Sequence, residues 1–155
     1  SSSGGSVDCK IEDGQSPYGC NMAFRARSIE HLEFDERLVL YGWLEDRDFG
    51  FWAAARGRLI WTDGLWGVHL GATRARTSGL RFGYSQVVNP WYLMKKGSMS
   101  PSRACSYILR GIVVNGLRTF RPEPHIDRRG RLKGNIIGIK EIVLGRWAPE
   151  RIARM

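Results

Sequence analysis

From Leu38 onward the chain alternates short apolar runs with turn residues, and the runs are rich in β-branched and aromatic side chains. Leu38–Leu44, Leu59–Thr62, Trp66–Leu70, Leu80–Tyr84 and Trp91–Met94 each predict a strand. Turn signals such as Asp63-Gly64 and Asn89-Pro90 separate them. Cys105–Val114 predicts a longer strand, Asn115-Gly116 a hairpin turn, and Leu117–Phe120 the return. Asn135–Leu144 predicts the last strand, central and covered because both of its faces are largely apolar. Helix signals are fewer. Asp46 and Asp48 before Phe49–Arg56, closed by Gly57, predict a short helix, although Gly50 leaves a strand open there. The mixed-charge run Ala23–Arg37 is a second place for a short helix, and Pro149 predicts a final helical turn. The expected fold is a single β-rich α+β domain of about six to eight mostly antiparallel strands with about one to three short helices.

The same pattern divides the chain into a flexible linker or arm over residues 1–22 and a single β-rich globular domain over residues 23–155. Ser1–Ser6 is polar and small, with no apolar segment of a secretory signal, and Asp13-Gly14 and Ser16-Pro17 are turn signals. With 43% hydrophobic residues, six Trp, five Tyr and six Phe, 155 residues suffice for one core. No apolar run is long enough to predict a transmembrane segment. Cys9, Cys20 and Cys105 are odd in number and lack a Cys-x-x-Cys pair. Cys9 and Cys20 could close a loop in an oxidising compartment, or all three could be thiols.

Charge changes the picture more than composition does. Ser1–Gly64 carries 7 Lys and Arg against 11 Asp and Glu, whereas Leu65–Met155 carries 17 against 4. So dense a like charge calls for a polyanion or an acidic partner to neutralise it, with RNA, DNA and an anionic membrane surface as the usual candidates. Arg128, Arg129, Arg131 and Lys133 crowd around Gly130, with Arg118 and Arg121 close in sequence, and are the expected principal phosphate contacts. Arg74 and Arg76 with Arg81 form a second group, and Lys95, Lys96 and Arg103 a third. Phe82, Tyr84, Trp91 and Tyr92 between these groups suit base stacking, the other half of single-strand recognition. The competing reading is a solvated basic face over an aromatic core.

Chemistry-bearing motifs are sparse. His31 and His125 read as exposed, and His69 as a strand histidine open to a core or a site role. Neither a metal-ligand spacing, a P-loop nor a nucleophile elbow is present, so no metal is expected. Glu141, inside an apolar run, needs either a buried cationic partner or an active-site role.

Three short motifs, Val68-His-Leu70, Ser78-Gly-Leu-Arg81, and Lys140-Glu-Ile-Val143 followed by Pro149-Glu-Arg-Ile152, resemble the ADP-ribosyltransferase fold in its RNA 2′-phosphotransferase-like branch. The resemblance spans roughly Leu38 to Ile152. It implies NAD as cofactor, His69 and Arg81 beside the nucleotide, and Glu141 as the transferase glutamate. Tyr41-Gly-Trp43 stands where that family carries His-Gly-Thr, which implies a degenerate, binding-only relative. Two expectations follow. The first is a basic domain that binds RNA or another polyanion without a cofactor, with a ribonucleoprotein or an acidic protein partner as its setting. The alternative is an NAD-dependent transferase acting through His69, Arg81 and Glu141.

Overall fold

A computed structural model describes residues 11–13, 16–64, 67–69, 78–121 and 123–155. Four α-helices dominate them: α1 (Glu45–Ala54), α2 (Gly79–Lys96), α3 (Pro101–Arg118) and α4 (Arg128–Val143). Short 3-10 turns cover Ala26–Ser28 and Pro149–Arg154. The described sheet is a two-stranded antiparallel ribbon, β1 (Ile11–Asp13) with β2 (Ile60–Thr62), in which Ile11 faces Thr62.

The β-rich expectation is therefore corrected. Leu80–Tyr84 and Trp91–Met94 lie in α2, Cys105–Val114 in α3, and Asn135–Val143 in α4. Leu38–Leu44 forms successive turns, the Asn115-Gly116 hairpin is helix interior, and the basic loop is the first two turns of α4. Of the expected strands, the one over Leu59–Thr62 is found, as β2. Residues 67–69 have no regular structure, and the rest of the Trp66–Leu70 run lies outside the described residues. The helix near Phe49 starts four residues earlier, at Glu45, and Pro149 opens its helical turn.

Local chemistry explains why these segments coil. The Ser78 side chain accepts from Arg81 N, that of Ser100 from Arg103 N ahead of Pro101, and that of Asp127 from Gly130 N at 2.7 Å. Each satisfies an amide that a helix start leaves open. Gly97 closes α2 in the left-handed region (φ 92°), its N–H reaching the carbonyls of Leu93 and Met94. Pro90 sits inside α2, where burial of the ring outweighs the lost hydrogen bond.

Glycine sets the tightest helix contact. A Cβ on Gly83 would overlap the Arg131 carbonyl, and one on Gly134 would overlap the Leu80 carbonyl and sit 2.6 Å from Tyr84 N. Gly138 meets Val87 at 3.0 Å in the same sense. Glycines four apart thus let α2 and α4 approach backbone to backbone, as small residues do between helices in membranes. Around this seam lie two buried clusters. One joins Leu38, Leu44, Tyr92, Leu93, Met99 and Ala104; the other joins Tyr84, Val88 and Ile152. Each fully buried large side chain contributes about 1.5–3 kcal/mol of hydrophobic burial. Away from the seam, Phe49 of α1 stacks on Phe34 (4.2 Å between centroids) and meets Phe24 edge-on at 5.2 Å.

Candidate functional site

Three buried polar networks tie the helices together. In the first, Arg128 grips Glu123 through two hydrogen bonds of 2.8 Å and donates to Asn115 Oδ1 at 3.1 Å. Asn115 Nδ2 donates to Gln86 (2.8 Å) and Asn135 (2.9 Å), and Asn135 Nδ2 donates to the Gly83 carbonyl at 2.7 Å. Asn115 and Asn135 are fully buried, so this chain of amides fixes the relative register of α2, α3 and α4. Hydrogen bonds from Arg128, aided by the Arg118 charge, hold the Glu123 carboxyl down at about 2.

The second network centres on Glu141. Tyr84 donates its hydroxyl to Glu141 at 2.6 Å, and Arg151 pairs with the same carboxylate at 3.0 Å. Burial and the Glu141 hydrogen bond both push the Tyr84 phenol upward. In the third, Lys96 bridges Asp35 and Asp48 at 2.6 Å each, and Tyr92 donates to Asp35 at 2.7 Å. Burial works against the Lys96 ammonium, but its two carboxylate partners raise its pKa all the same. Asp35 moves down, where Lys96 and Tyr92 overcome the cost of burial.

The residues expected at a phosphate site do not share one fate. Arg128 is internal, with its side chain 10% exposed and engaged as above. Arg131 lies over the Phe82 ring at 4.3 Å, and Arg118 is exposed but within 3.4 Å of Glu123. Arg121, Arg129 and Lys133 are exposed and form no ion pair with a described residue. Arg74 and Arg76 lie outside the described residues. On the alternative reading, Glu141 is committed to Tyr84 and Arg151, and Arg81 Nε donates to the Met155 carbonyl at 2.8 Å. His69 is exposed in the irregular stretch 67–69, and no described hydrogen bond or ion pair joins it to Arg81 or Glu141.

Further basic groups complete the picture: Arg103 of the third sequence group, and Arg110, Lys140 and Arg146, which sequence reasoning left out of the site. Arg103 and Arg110 on α3, Lys140 on α4 and Arg146 just after it are exposed and make no ion pair among the described residues. The seven-residue spacing of Arg103 and Arg110 would have placed both on one helix face had α3 been read as a helix. An open groove of about 500 Å³ is lined by Arg146, Arg151 and Arg154 together with Glu150. Among the described residues no three His, Cys, Asp or Glu side chains converge as metal ligands, and Cys20 and Cys105 are exposed thiols; Cys9 lies outside the described residues. No described helix is long and apolar enough to cross a membrane.

What these surfaces present is a set of exposed cations on α3 and α4. No protein-family model, curated protein or solved structure matches the chain.

Proposed function

We propose that this chain binds a polyanionic surface through the outer faces of α3 and α4. One observation carries the reading: all four carboxylates after Gly64 are engaged within the fold, whereas many of the cations around them are not. Glu123 is held by Arg128 and Arg118, Asp127 caps α4, Glu141 is held by Tyr84 and Arg151, and Glu150 by Arg37. The cations left facing solvent, Arg110, Arg129, Lys133 and Lys140 among them, therefore act as an unopposed positive field. Binding of this kind is screened by salt, because exposed charges lose most of their reach within about 10 Å at 0.1 M.

The test is elution from immobilised heparin over a salt gradient. An Arg129→Gln/Lys133→Gln/Lys140→Gln variant should elute at clearly lower salt than the parent. An Arg128→Gln variant should elute like the parent yet melt at a lower temperature, since its guanidinium serves the interior. Unchanged elution of the triple variant overturns the proposal.

A further inference from the structure

Helices α3 and α4 bury small and polar groups fully and leave several large apolar side chains in solvent. The buried positions of α3 are Ala104, Gly111 and Asn115, and those of α4 are Gly134, Asn135, Gly138 and Glu141. Their large apolar residues divide: Tyr107, Ile112, Leu132 and Ile137 are half-buried, whereas Leu109 is 61% exposed, Val113 53%, Leu117 69% and Ile136 59%. At about 3.6 residues per turn, residues 109, 113 and 117 form a single stripe. Phe120, just past the end of α3 and 87% exposed, extends it, and Val143 at 78% marks the far end of α4. A helix in water does the opposite, burying its large apolar stripe and showing small or polar groups.

The way these helices hold together has the same character. Glycine spacing and amide-to-amide hydrogen bonds join α2, α3 and α4, the means by which helices associate where lipid removes the hydrophobic drive. Yet no described helix is suited to cross a bilayer. Small and polar groups at the helix contacts, with large apolar groups exposed on the outer side, suit helices lying in the plane of a membrane interface. Charge selects the kind of membrane. On the exposed face of α4, Arg129, Lys133 and Lys140 alternate with Ile136 and Val143, and the exposed carboxylate at that end, Asp127, is engaged in capping the helix. Cations flanking an apolar stripe complement a layer of anionic headgroups over acyl chains.

Resting on the polyanion reading above, we infer that the polyanion is an anionic lipid bilayer, met by the apolar stripe of α3 and the apolar and basic face of α4. Leu109, Val113, Leu117 and Phe120 enter the boundary between headgroups and acyl chains, while Arg129, Lys133 and Lys140 contact lipid phosphates. A nucleic acid would use the cations but leave the aliphatic stripe in water. A second copy of the chain would cover the stripe but bring like charges together.

The test is co-sedimentation of the full chain with two kinds of vesicle: phosphatidylcholine alone, and phosphatidylcholine with about one-third phosphatidylglycerol. The parent should partition into the anionic vesicles about tenfold or more in excess of the neutral ones. A Leu109→Ser/Val113→Ser/Leu117→Ser variant should lose that partition by about tenfold or more while its elution from heparin stays unchanged. All three positions are exposed, so the helical circular dichroism should persist; if it does not, Phe120→Ser, outside the helix, provides the same comparison. Several outcomes overturn the inference. One is equal sedimentation of parent and stripe variants, which makes the contact purely electrostatic. Another is a dimer in sedimentation velocity that the stripe variant dissolves, with no vesicle binding. A third is binding to a single-stranded RNA without binding to vesicles. Retention on heparin without vesicle binding defeats the membrane alone, whereas failure on both also defeats the polyanion reading.

Discussion

The protein solves the packing problem in two ways, one around Phe49 and one along the seam between α2 and α4. Around Phe49 large rings stack on one another, and the neighbouring charges gather into one cluster of Lys96 with Asp35 and Asp48. Along the seam the contact is made by glycines and amides, and several large aliphatic groups of α3 and α4 stay outside. The first mode draws its stability from apolar area removed from water. The second draws it from close backbone approach and satisfied buried polar groups, which tolerate far less change of shape. A core of the first kind loses about 0.5–1.5 kcal/mol with a deleted methyl group, whereas a seam of the second kind has no room for an added one.

Steric change at the seam should therefore have the largest effect. Gly134→Val places carbon where the Leu80 carbonyl lies and should cost about 3 kcal/mol or more, read as collapse of the thermal melt. If Gly134→Val melts like the parent, the seam is not the rigid element described. Next comes the amide chain. Asn135→Ala removes the side-chain donor to the Gly83 carbonyl and leaves a buried Asn115 amide hydrogen without its acceptor, which should cost about 1–3 kcal/mol in urea unfolding.

Lys96→Met attacks the other mode, leaving Asp35 and Asp48 without their cation. Because the lysine is itself 26% exposed, solvent softens the loss to about 2 kcal/mol at neutral pH. The pH dependence has two arms. The lowered pKa of Asp35 adds stability above its ordinary value of 3.8, lost as pH falls through the lowered value. The raised pKa of Lys96 adds stability below 10.5, lost as pH rises through the raised value. In Lys96→Met the lysine's share of the alkaline arm should vanish and the acid arm should shrink, both visible in melting temperature against pH, while the raised Tyr84 phenol keeps its own alkaline share. The smallest effect belongs to Gly116→Ala, whose new Cβ meets nothing within 4 Å; it should stabilise α3 by about 0.5–1 kcal/mol. Set beside Gly134→Val, it separates glycines that the fold requires from one that it merely contains.

The same difference between regions explains what was legible. Near Phe49, acidic residues before an Ala-rich stretch announced α1, because that helix obeys the ordinary rules of caps and composition. In α3 and α4 the apolar residues did not mark the buried side. Period-two reading of Ile137, Ile139, Glu141 and Val143 mixed the buried Glu141 with the exposed Val143, and the buried Asn115 passed for a turn residue. Asn115-Gly116 is the sharpest case, a hairpin signal held inside a helix because Asn115 bonds to Gln86, Asn135 and Arg128. Yet Ser100-Pro101 and Asp127 were valid helix starts on their own, and reading those caps first would have found both helices. For the site, the density of cations was legible, but not that Arg128 would turn inward to Glu123 while Lys140 turned outward.

The sequence by itself determined the charge division between the two parts of the chain, the positions of the helix caps, and the scarcity of carboxylates after Gly64. These are local or additive properties, and no fold can alter them. Only the tertiary structure decided which face of each helix is inside, which arginines are structural, and that the aliphatic stripe of α3 is left uncovered. Those outcomes depend on residues far apart in sequence meeting at one seam, where glycine permits an approach that no single helix could specify.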